Sequence, residues 1–224
     1  MQVASRSLAA AVFVAAFSPL VAQGALITSP AGLVAPVTTP APAYTGPQSP
    51  GYTIGPFLVP VPFGNGISYT SSSSGTYYGA SEYILLDNGQ WLNLNWVGTA
   101  ENTKVTFDLG GLFGAVGGFM NYATPGAGTP VIRVLDAGGN ELESHDLSVA
   151  APISTPGGVD QGAFRGIQRA SADIRFFEID GAFLLVNSLT TADPGTSVVP
   201  VPASLPLLAS GLVALFAWQR RRAA

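Results

Sequence analysis

The chain has 224 residues, of which 47% are hydrophobic and only 10% are charged, whereas about a quarter of the residues in a typical globular domain are charged. It contains no cysteine, which excludes disulfides, thiolate metal sites and cysteine nucleophiles. Residues 26–199 contain 5 Lys/Arg and 13 Asp/Glu, a net charge of −8. Because nucleic-acid phosphates need a basic surface, we predict no nucleic-acid partner.

The first predicted element is a secretory signal peptide, residues 1–24, with a short N-terminal signal helix. Arg6 supplies the charged start, residues 8–17 are an uninterrupted apolar run, and small residues follow at Ala22 and Gly24. The run is shorter than the roughly 20 residues that span a bilayer. This pattern predicts export through the Sec translocon and cleavage by signal peptidase after Gly24, with cleavage after Ala22 as the alternative.

Residues 25–65 are predicted to be a proline-rich lead-in or stalk. Nine prolines lie between residues 29 and 62, and proline neither donates to a sheet ladder nor continues a helix. We therefore expect part of this segment to be extended and loosely packed. Residues 52–54 and 57–59 remain candidates for short edge strands.

An all-β domain is predicted over residues 66–192, because short β segments alternate with turn signals there. Asp136–Asn140 is typical of a hairpin loop, and Phe176–Phe177 interrupts strict alternation, which indicates a bulge. Eight or more strands without βαβ spacing predict an antiparallel β-sandwich or jelly roll. The clearest predicted strands cover residues 67–70, 76–78, 104–109, 115–122, 131–135, 141–147, 163–167, 174–179 and 182–190.

The C-terminal segment, residues 193–224, combines an apolar helix with a basic end. Residues 198–218 carry no charge, and prolines in their first half restrict a transmembrane helix to residues 203–218. About 15 residues rise about 22 Å, short of a ~30 Å bilayer core, although arginines can snorkel outward. Three arginines follow at Arg220, Arg221 and Arg222. The positive-inside rule keeps them in the cytoplasm and puts the domain on the far side of the inner membrane.

A short motif precedes this helix: Val199, Pro200, Val201, Pro202 and Ala203. Motif, helix and arginine cluster together resemble a PEP-CTERM sorting signal, and Val201 makes the motif similar to the Val-Pro-x-Pro-Ala variant. The resemblance implies processing by an exosortase, an integral-membrane cysteine protease or transpeptidase of Gram-negative bacteria that make exopolysaccharide and biofilm. It also implies a domain anchored at the inner membrane, facing the periplasm, and then passed to the cell surface or extracellular matrix. An ordinary tail anchor is the alternative.

The β region resembles the β-sandwich regions of exported PEP-CTERM proteins and, more loosely, galactose-binding-like jelly rolls. Two stretches carry this resemblance: Asp87–Gly89 ahead of Trp91, and Gly162–Ile167. Since one fold hosts many activities, this second likeness predicts a fold and no function.

Chemistry-bearing residues are few. The only histidine, His145, lies in a predicted strand beside Glu143 and Asp146, and no Gly-x-Ser-x-Gly elbow supplies a nucleophile. We therefore predict no enzymatic activity. One histidine without cysteine argues against zinc or copper, and we predict no cofactor. Structural calcium stays open because it needs only oxygen ligands, for which the candidates are Asp87, Asn88, Asp173 and Asp180.

One constellation indicates carbohydrate binding. A strand over residues 91–96 would place Trp91, Asn93 and Asn95 on one face and Trp96 on the core face. A tryptophan ring can stack on sugar C–H groups while the amides bond hydroxyls. The tyrosines that could extend this surface are Tyr77, Tyr78 and Tyr83. The alternative is that both tryptophans are buried.

Three functions therefore remain open from the sequence. The first is a non-enzymatic surface or matrix protein that is sorted by an exosortase and associates with extracellular polysaccharide. The second is a carbohydrate-binding module with a defined ligand site, and the third is a secreted hydrolase. We favour the first because the sorting signal is the only specific motif.

Overall fold

The computed structural model describes residues 24–46, 52–72, 74–80, 95–122, 128–153, 162–181 and 183–194. These residues form fourteen β-strands and one single-turn helix. The elements are β1 (Ala25–Ile27), β2 (Val34–Pro40), β3 (Tyr52–Ile54), β4 (Phe57–Gly64), β5 (Ile67–Ser71), β6 (Thr76–Gly79), β7 (Trp96–Thr99), β8 (Lys104–Phe113), β9 (Ala115–Asn121), β10 (Val131–Leu135), β11 (Glu141–Asp146), α1 (Leu147–Ala150), β12 (Ala163–Gln168), β13 (Ile174–Asp180) and β14 (Leu185–Asp193).

The strands build two antiparallel sheets, so the all-β, two-sheet prediction is confirmed. One sheet has eight strands, in the order β1-β12-β9-β14-β7-β6-β3, with β2 also paired to β14. The other has six strands, in the order β11-β10-β13-β8-β5-β4. On one side of β14, β9 pairs along most of its length; on the other, β7 pairs with its first residues and β2 with the rest.

A single main core lies between the two sheets. The predicted alternation of β8 is confirmed, because Val105, Phe107 and Leu109 are buried while Lys104 is exposed. Phe107 packs edge-on against Phe63 with ring centroids 5.4 Å apart. The inward residues of the eight-stranded sheet complete this core from the other side; among them are Val97, Val116, Met120, Ile167, Val186 and Leu189.

The structure differs from the stalk expected over residues 25–65. Strands β1 to β4 all pair within the two sheets, and Thr38 of β2 is hydrogen-bonded to Thr190 of β14 at 2.9 Å. The prolines within β2 and β4 are tolerated because these strands have a free edge, where a missing N–H breaks no ladder. The short edge strands considered for residues 52–54 and 57–59 are confirmed as β3 and the start of β4.

The two predicted targeting segments fall almost entirely outside the described residues. The signal peptide over residues 1–24 shares only Gly24 with them, and the tail over residues 193–224 shares only residues 193 and 194. The described residues contain no helix that combines the length and apolar character needed to cross a membrane. The predicted transmembrane helix over residues 203–218 lies outside them.

The predicted bulge and hairpin both have counterparts in the structure. The pairing of β13 with β8 changes register between Ile174 and Phe176, next to the predicted irregularity. In the β10–β11 turn, Asp136 Oδ1 accepts hydrogen bonds from the backbone N–H groups of Gly138 at 2.8 Å and Asn140 at 2.9 Å. Asn140 Nδ2 donates to Asp136 Oδ2 at 2.9 Å. The turn is therefore an Asx-type turn closed by two side chains.

We expect the pKa of Asp136 to lie below its ordinary 3.8, because the Asn140 side chain and the turn amides hydrogen-bond its charged form. A lowered folded-state pKa means that these bonds stabilise the fold above the ordinary value. Their contribution is lost as the pH falls through the lower, folded-state pKa. Carboxyl-carbon NMR titration checks this: Asn140→Ala should raise the Asp136 pKa, whereas Asn65→Ala, in another turn, should leave it unchanged. An identical Asp136 titration in both variants would contradict the assignment.

Candidate functional site

An aromatic cluster lies on the outer face of the eight-stranded sheet, away from the main core. Trp96 is only 3% exposed, and Tyr52, Tyr77, Phe119 and Leu185 pack against it. The rings of Tyr52 and Tyr77 meet edge-on with centroids 5.5 Å apart, and Tyr52 lies 6.4 Å from the Trp96 ring. This geometry is typical of a packed aromatic cluster rather than of an open stacking platform.

The prediction that Trp96 faces the core is wrong. The neighbouring Val97 belongs to the main core, so Trp96 points to the opposite side of β7. Strand β7 begins at Trp96. The alternation of residues 91–95 therefore does not determine which face of the sheet Trp96 lies on. The Trp96 indole N–H is buried and finds no hydrogen-bond partner among the described residues.

Tyr77 and Tyr78 lie on opposite faces of β6, as successive strand residues must. Tyr77 joins the Trp96 cluster, whereas Tyr78 packs against the main core. The Tyr78 hydroxyl is within hydrogen-bond distance of the Pro42 carbonyl at 3.1 Å and the Ala43 carbonyl at 2.7 Å. Burial raises the pKa of Tyr78 above its ordinary value, with a smaller contribution from Tyr44.

Asn95 forms a structural hydrogen bond to the neighbouring backbone. Its Oδ1 accepts a hydrogen bond from the Tyr44 backbone N–H at 2.8 Å, and the Tyr44 ring packs edge-on against Tyr78 at 5.2 Å. Asn95 and Tyr78 therefore meet around residues 42–44, while Tyr77 lies on the other face. Trp91, Asn93 and Tyr83 lie outside the described residues. The described members of the predicted sugar platform thus do not share one surface.

His145 lies on β11 and is paired with Glu143. Its Nε2 lies 2.7 Å from Glu143 Oε1, and the Arg169 guanidinium lies 3.6 Å from Glu143 Oε2. Asp146 points elsewhere, because its carboxylate caps α1 by accepting from the Ser148 backbone N–H at 2.9 Å. A Ser-His-Asp hydrolase would have to use this histidine, because the sequence contains one histidine.

The two described calcium candidates are each held by an arginine. Asp173 receives two hydrogen bonds from Arg169, at 2.8 and 3.0 Å, and Asp180 receives one from Arg133 at 2.7 Å. The other candidates, Asp87 and Asn88, lie outside the described residues. Among the residues that the structure describes, no three histidine or acidic side chains gather as a metal-binding group.

A charged network crosses the outer face of the six-stranded sheet. Glu178 is buried, and its Oε2 accepts from Lys104 Nζ at 3.0 Å and from Thr106 Oγ1 at 2.9 Å. Arg133 lies 3.9 Å from the other Glu178 oxygen and pairs closely with Asp180. Arg133 Nε also lies 3.5 Å from Glu141 Oε2, so two cations face three carboxylates in this network.

A pocket of about 260 Å³ opens beside this network, at the end of β5. Its walls are partly aromatic or aliphatic and partly hydroxylated, with one ammonium group. The lining residues are Phe57, Leu58, Thr70, Ser71, Ser72, Lys104 and Thr106. The mixture of apolar surface with a few hydrogen-bonding groups is what small-molecule sites share.

Sequence reasoning missed this pocket. One usable signal was Lys104, which is the only lysine in the chain, and a second was the run of hydroxyl residues over 70–74. Neither signal indicates a site by itself, because the pocket depends on how β4 passes β5. A comparison of the chain with protein-family models finds no match. A search of curated proteins likewise finds no relative.

Proposed function

We propose that this chain is an exported, membrane-anchored substrate of an exosortase and acts as a non-enzymatic surface or matrix protein. The observation that carries the proposal is the ordered C-terminal arrangement: the motif over residues 199–203, an apolar helix, and the cluster Arg220, Arg221 and Arg222. The arginines hold the tail from the cytoplasmic side. The final location is the cell surface or extracellular matrix, where polysaccharide is the expected partner.

The position of the folded part supports this proposal. Strand β1 starts at Ala25, directly after the predicted cleavage position, so removal of residues 1–24 would leave every described strand whole. Strand β14 ends at Asp193, before the uncharged run of the tail begins. The targeting segments and the sheets therefore occupy separate parts of the sequence.

We further infer that the two sheets form a jelly roll of the galactose-binding-like type. In support, β12 and β14 return to pair with β9, and β13 returns to pair with β8, so distant strands become neighbours in both sheets. Long returns of this kind characterise Greek-key sandwiches.

Mass spectrometry of the mature protein tests the sorting proposal. In cells with the exosortase the C-terminal arginines should be absent from the mature chain, and deletion of the exosortase should restore them. A variant with Arg220, Arg221 and Arg222 all changed to alanine should remain unprocessed, while the triple lysine variant keeps the charge and should be processed. A full-length C-terminus with and without the exosortase would contradict the proposal.

A carbohydrate-binding module is the second candidate. The observation in its favour is the pocket beside Lys104, which combines apolar and hydroxyl-bearing walls.

A further inference from the structure

We propose that the pocket between β4, β5 and β8 binds one uncharged pyranose ring. The inference deepens the proposed function and rests on it, because the sugar would be a unit of the extracellular polysaccharide that an exported protein meets. The site differs from the platform of Trp91, Asn93 and Asn95 that the sequence suggested.

The pocket exists because β4 carries a bulge. Phe57 lies opposite Ser71 and Val61 lies opposite Tyr69, so β4 has two more residues than β5 in this interval. The extra residues include Pro60, which has no N–H to pair. Leu58 lies within this irregular stretch and is 71% exposed. Bulges of this kind recur beside binding sites because they redirect side chains.

The two walls match the two sides of a sugar ring. Phe57 and Leu58 form the apolar wall, against which the C–H face of a pyranose can pack. Thr70, Ser72 and Lys104 lie on the polar side, where ring hydroxyls need partners. The volume of about 260 Å³ is below the ~300 Å³ at which sites for drug-sized ligands begin, and so suits one ring rather than a longer oligosaccharide.

The hydrogen-bonding groups divide into those used by the fold and those left over. Ser71 Oγ donates to the Lys104 carbonyl at 2.8 Å, and Thr106 Oγ1 donates to Glu178. Among the described residues, the Thr70 and Ser72 hydroxyls make no side-chain hydrogen bond. The Lys104 ammonium has three N–H groups and uses one on Glu178. The unused hydroxyls and N–H groups can all bond sugar hydroxyls.

Charge selects an uncharged ring over a uronate. Glu178 already compensates the Lys104 ammonium at 3.0 Å, and the segment over residues 26–199 has a net charge of −8. A negative field of this kind lowers the local concentration of anionic ligands. Hydrogen bonding by the held ammonium, rather than net charge, therefore drives recognition.

The only lysine of the chain provides a selective probe of this pocket. Reductive methylation with ¹³C-formaldehyde keeps the charge and gives Lys104 one NMR signal, and the Lys104→Arg variant identifies it against the α-amino signal. The full chain is studied in a detergent without a sugar headgroup. The ligands are the methyl glycosides of glucose, galactose and mannose, with methyl glucuronide as the anionic comparison.

We expect the Lys104 signal to shift saturably with at least one uncharged glycoside. The double variant T70V/S72A removes two hydroxyls that the fold does not use and should weaken binding about tenfold or more. The control T129V/S171A deletes the same atoms from exposed positions outside the pocket and should bind like the unmodified sequence.

Three results would overturn the proposal: no saturable shift with any uncharged glycoside, equal binding by the two double variants, or tighter binding of the glucuronide. The outcome is independent of the sorting test, because it is measured on the purified chain. Absence of C-terminal processing would reject the exosortase role alone, and absence of glycoside binding would reject the pocket alone.

Discussion

Replacing Arg169 with methionine is expected to lower the free energy of unfolding by about 3 kcal/mol, in the range typical of breaking a buried ion pair. The Arg169 side chain is 7% exposed and forms a two-pronged contact with Asp173, while its third nitrogen faces Glu143. Asp173 is 32% exposed, so water replaces part of what it loses. Glu143 is more deeply buried, with 14% of its side chain exposed, and loses a cation that lies 3.6 Å away.

We expect the Arg169 side chain to be fully charged near neutral pH, so that its contribution to the free energy of unfolding is at its maximum there. The hydrogen bonds that Arg169 donates to Asp173 raise the pKa of Arg169 above its ordinary value, and the nearby negative charges of Asp173 and Glu143 act in the same direction. A cation with a raised folded-state pKa stabilises the fold fully below its unfolded pKa and loses this contribution only as the pH rises through the folded value.

Chemical denaturation of matched variants measures the effect. Arg175→Met breaks the pair with Asp108, in which both side chains are partly exposed, and should lower stability by at most about 1 kcal/mol. Arg169→Lys keeps the charge but not the two-pronged geometry and should fall between the two. If Arg169→Met and Arg175→Met destabilise equally, the burial argument is wrong.

Replacing Tyr69 with phenylalanine should stabilise the domain, by about 1 kcal/mol or somewhat more. The Tyr69 side chain is fully buried, and its ring packs among Phe57, Phe63 and Phe107. Within the part of the chain that the structure describes, its hydroxyl has no hydrogen-bond partner. An unsatisfied buried hydroxyl is destabilising by about 1–3 kcal/mol, part of which the substitution recovers. Thermal unfolding should show an increase in Tm of about 2–4 °C.

The stabilising effect of this substitution should increase at alkaline pH. Burial raises the pKa of Tyr69 well above its ordinary 10.0. Above that value the unfolded chain loses the phenolic proton while the folded chain keeps it, so the unmodified protein loses stability as the pH rises. Tyr78→Phe is the matched control, because it removes a hydroxyl bonded to backbone carbonyls and should destabilise by about 1 kcal/mol. A Tyr69→Phe variant less stable than the unmodified chain would show that the hydroxyl has a partner.

The strands of the second half of the domain could be predicted because each has a recognisable pattern in its own sequence. Lys104–Leu109 alternates in polarity, and Asp136–Asn140 carries the side chains that close its own turn. Such signals depend on neighbours in the sequence. Strand β2 and the later part of β4, residues 60–64, could not be predicted this way, because proline excludes a central strand and the sequence does not say which strands will lie at an edge.

The face of Trp96 was predicted wrongly, and the pocket beside Lys104 was not predicted, for a related reason. The face that Trp96 presents depends on where β7 begins, and alternation in the preceding residues did not reveal it. The pocket beside Lys104 depends on a difference of two residues between paired strands. Register is a property of two strands together, so inspection of either strand by itself cannot give it.

The shared pairing of β14 has a mechanical consequence. Any tension that enters the domain through residue 194 pulls on a strand bonded to β9 on one side and to β7 and β2 on the other. The pull acts along the strand and must shear both ladders together, whereas β1, at the sheet margin, has only β12 to peel from. If the tail anchors the domain as proposed, the load therefore falls on a strand that is paired on both sides.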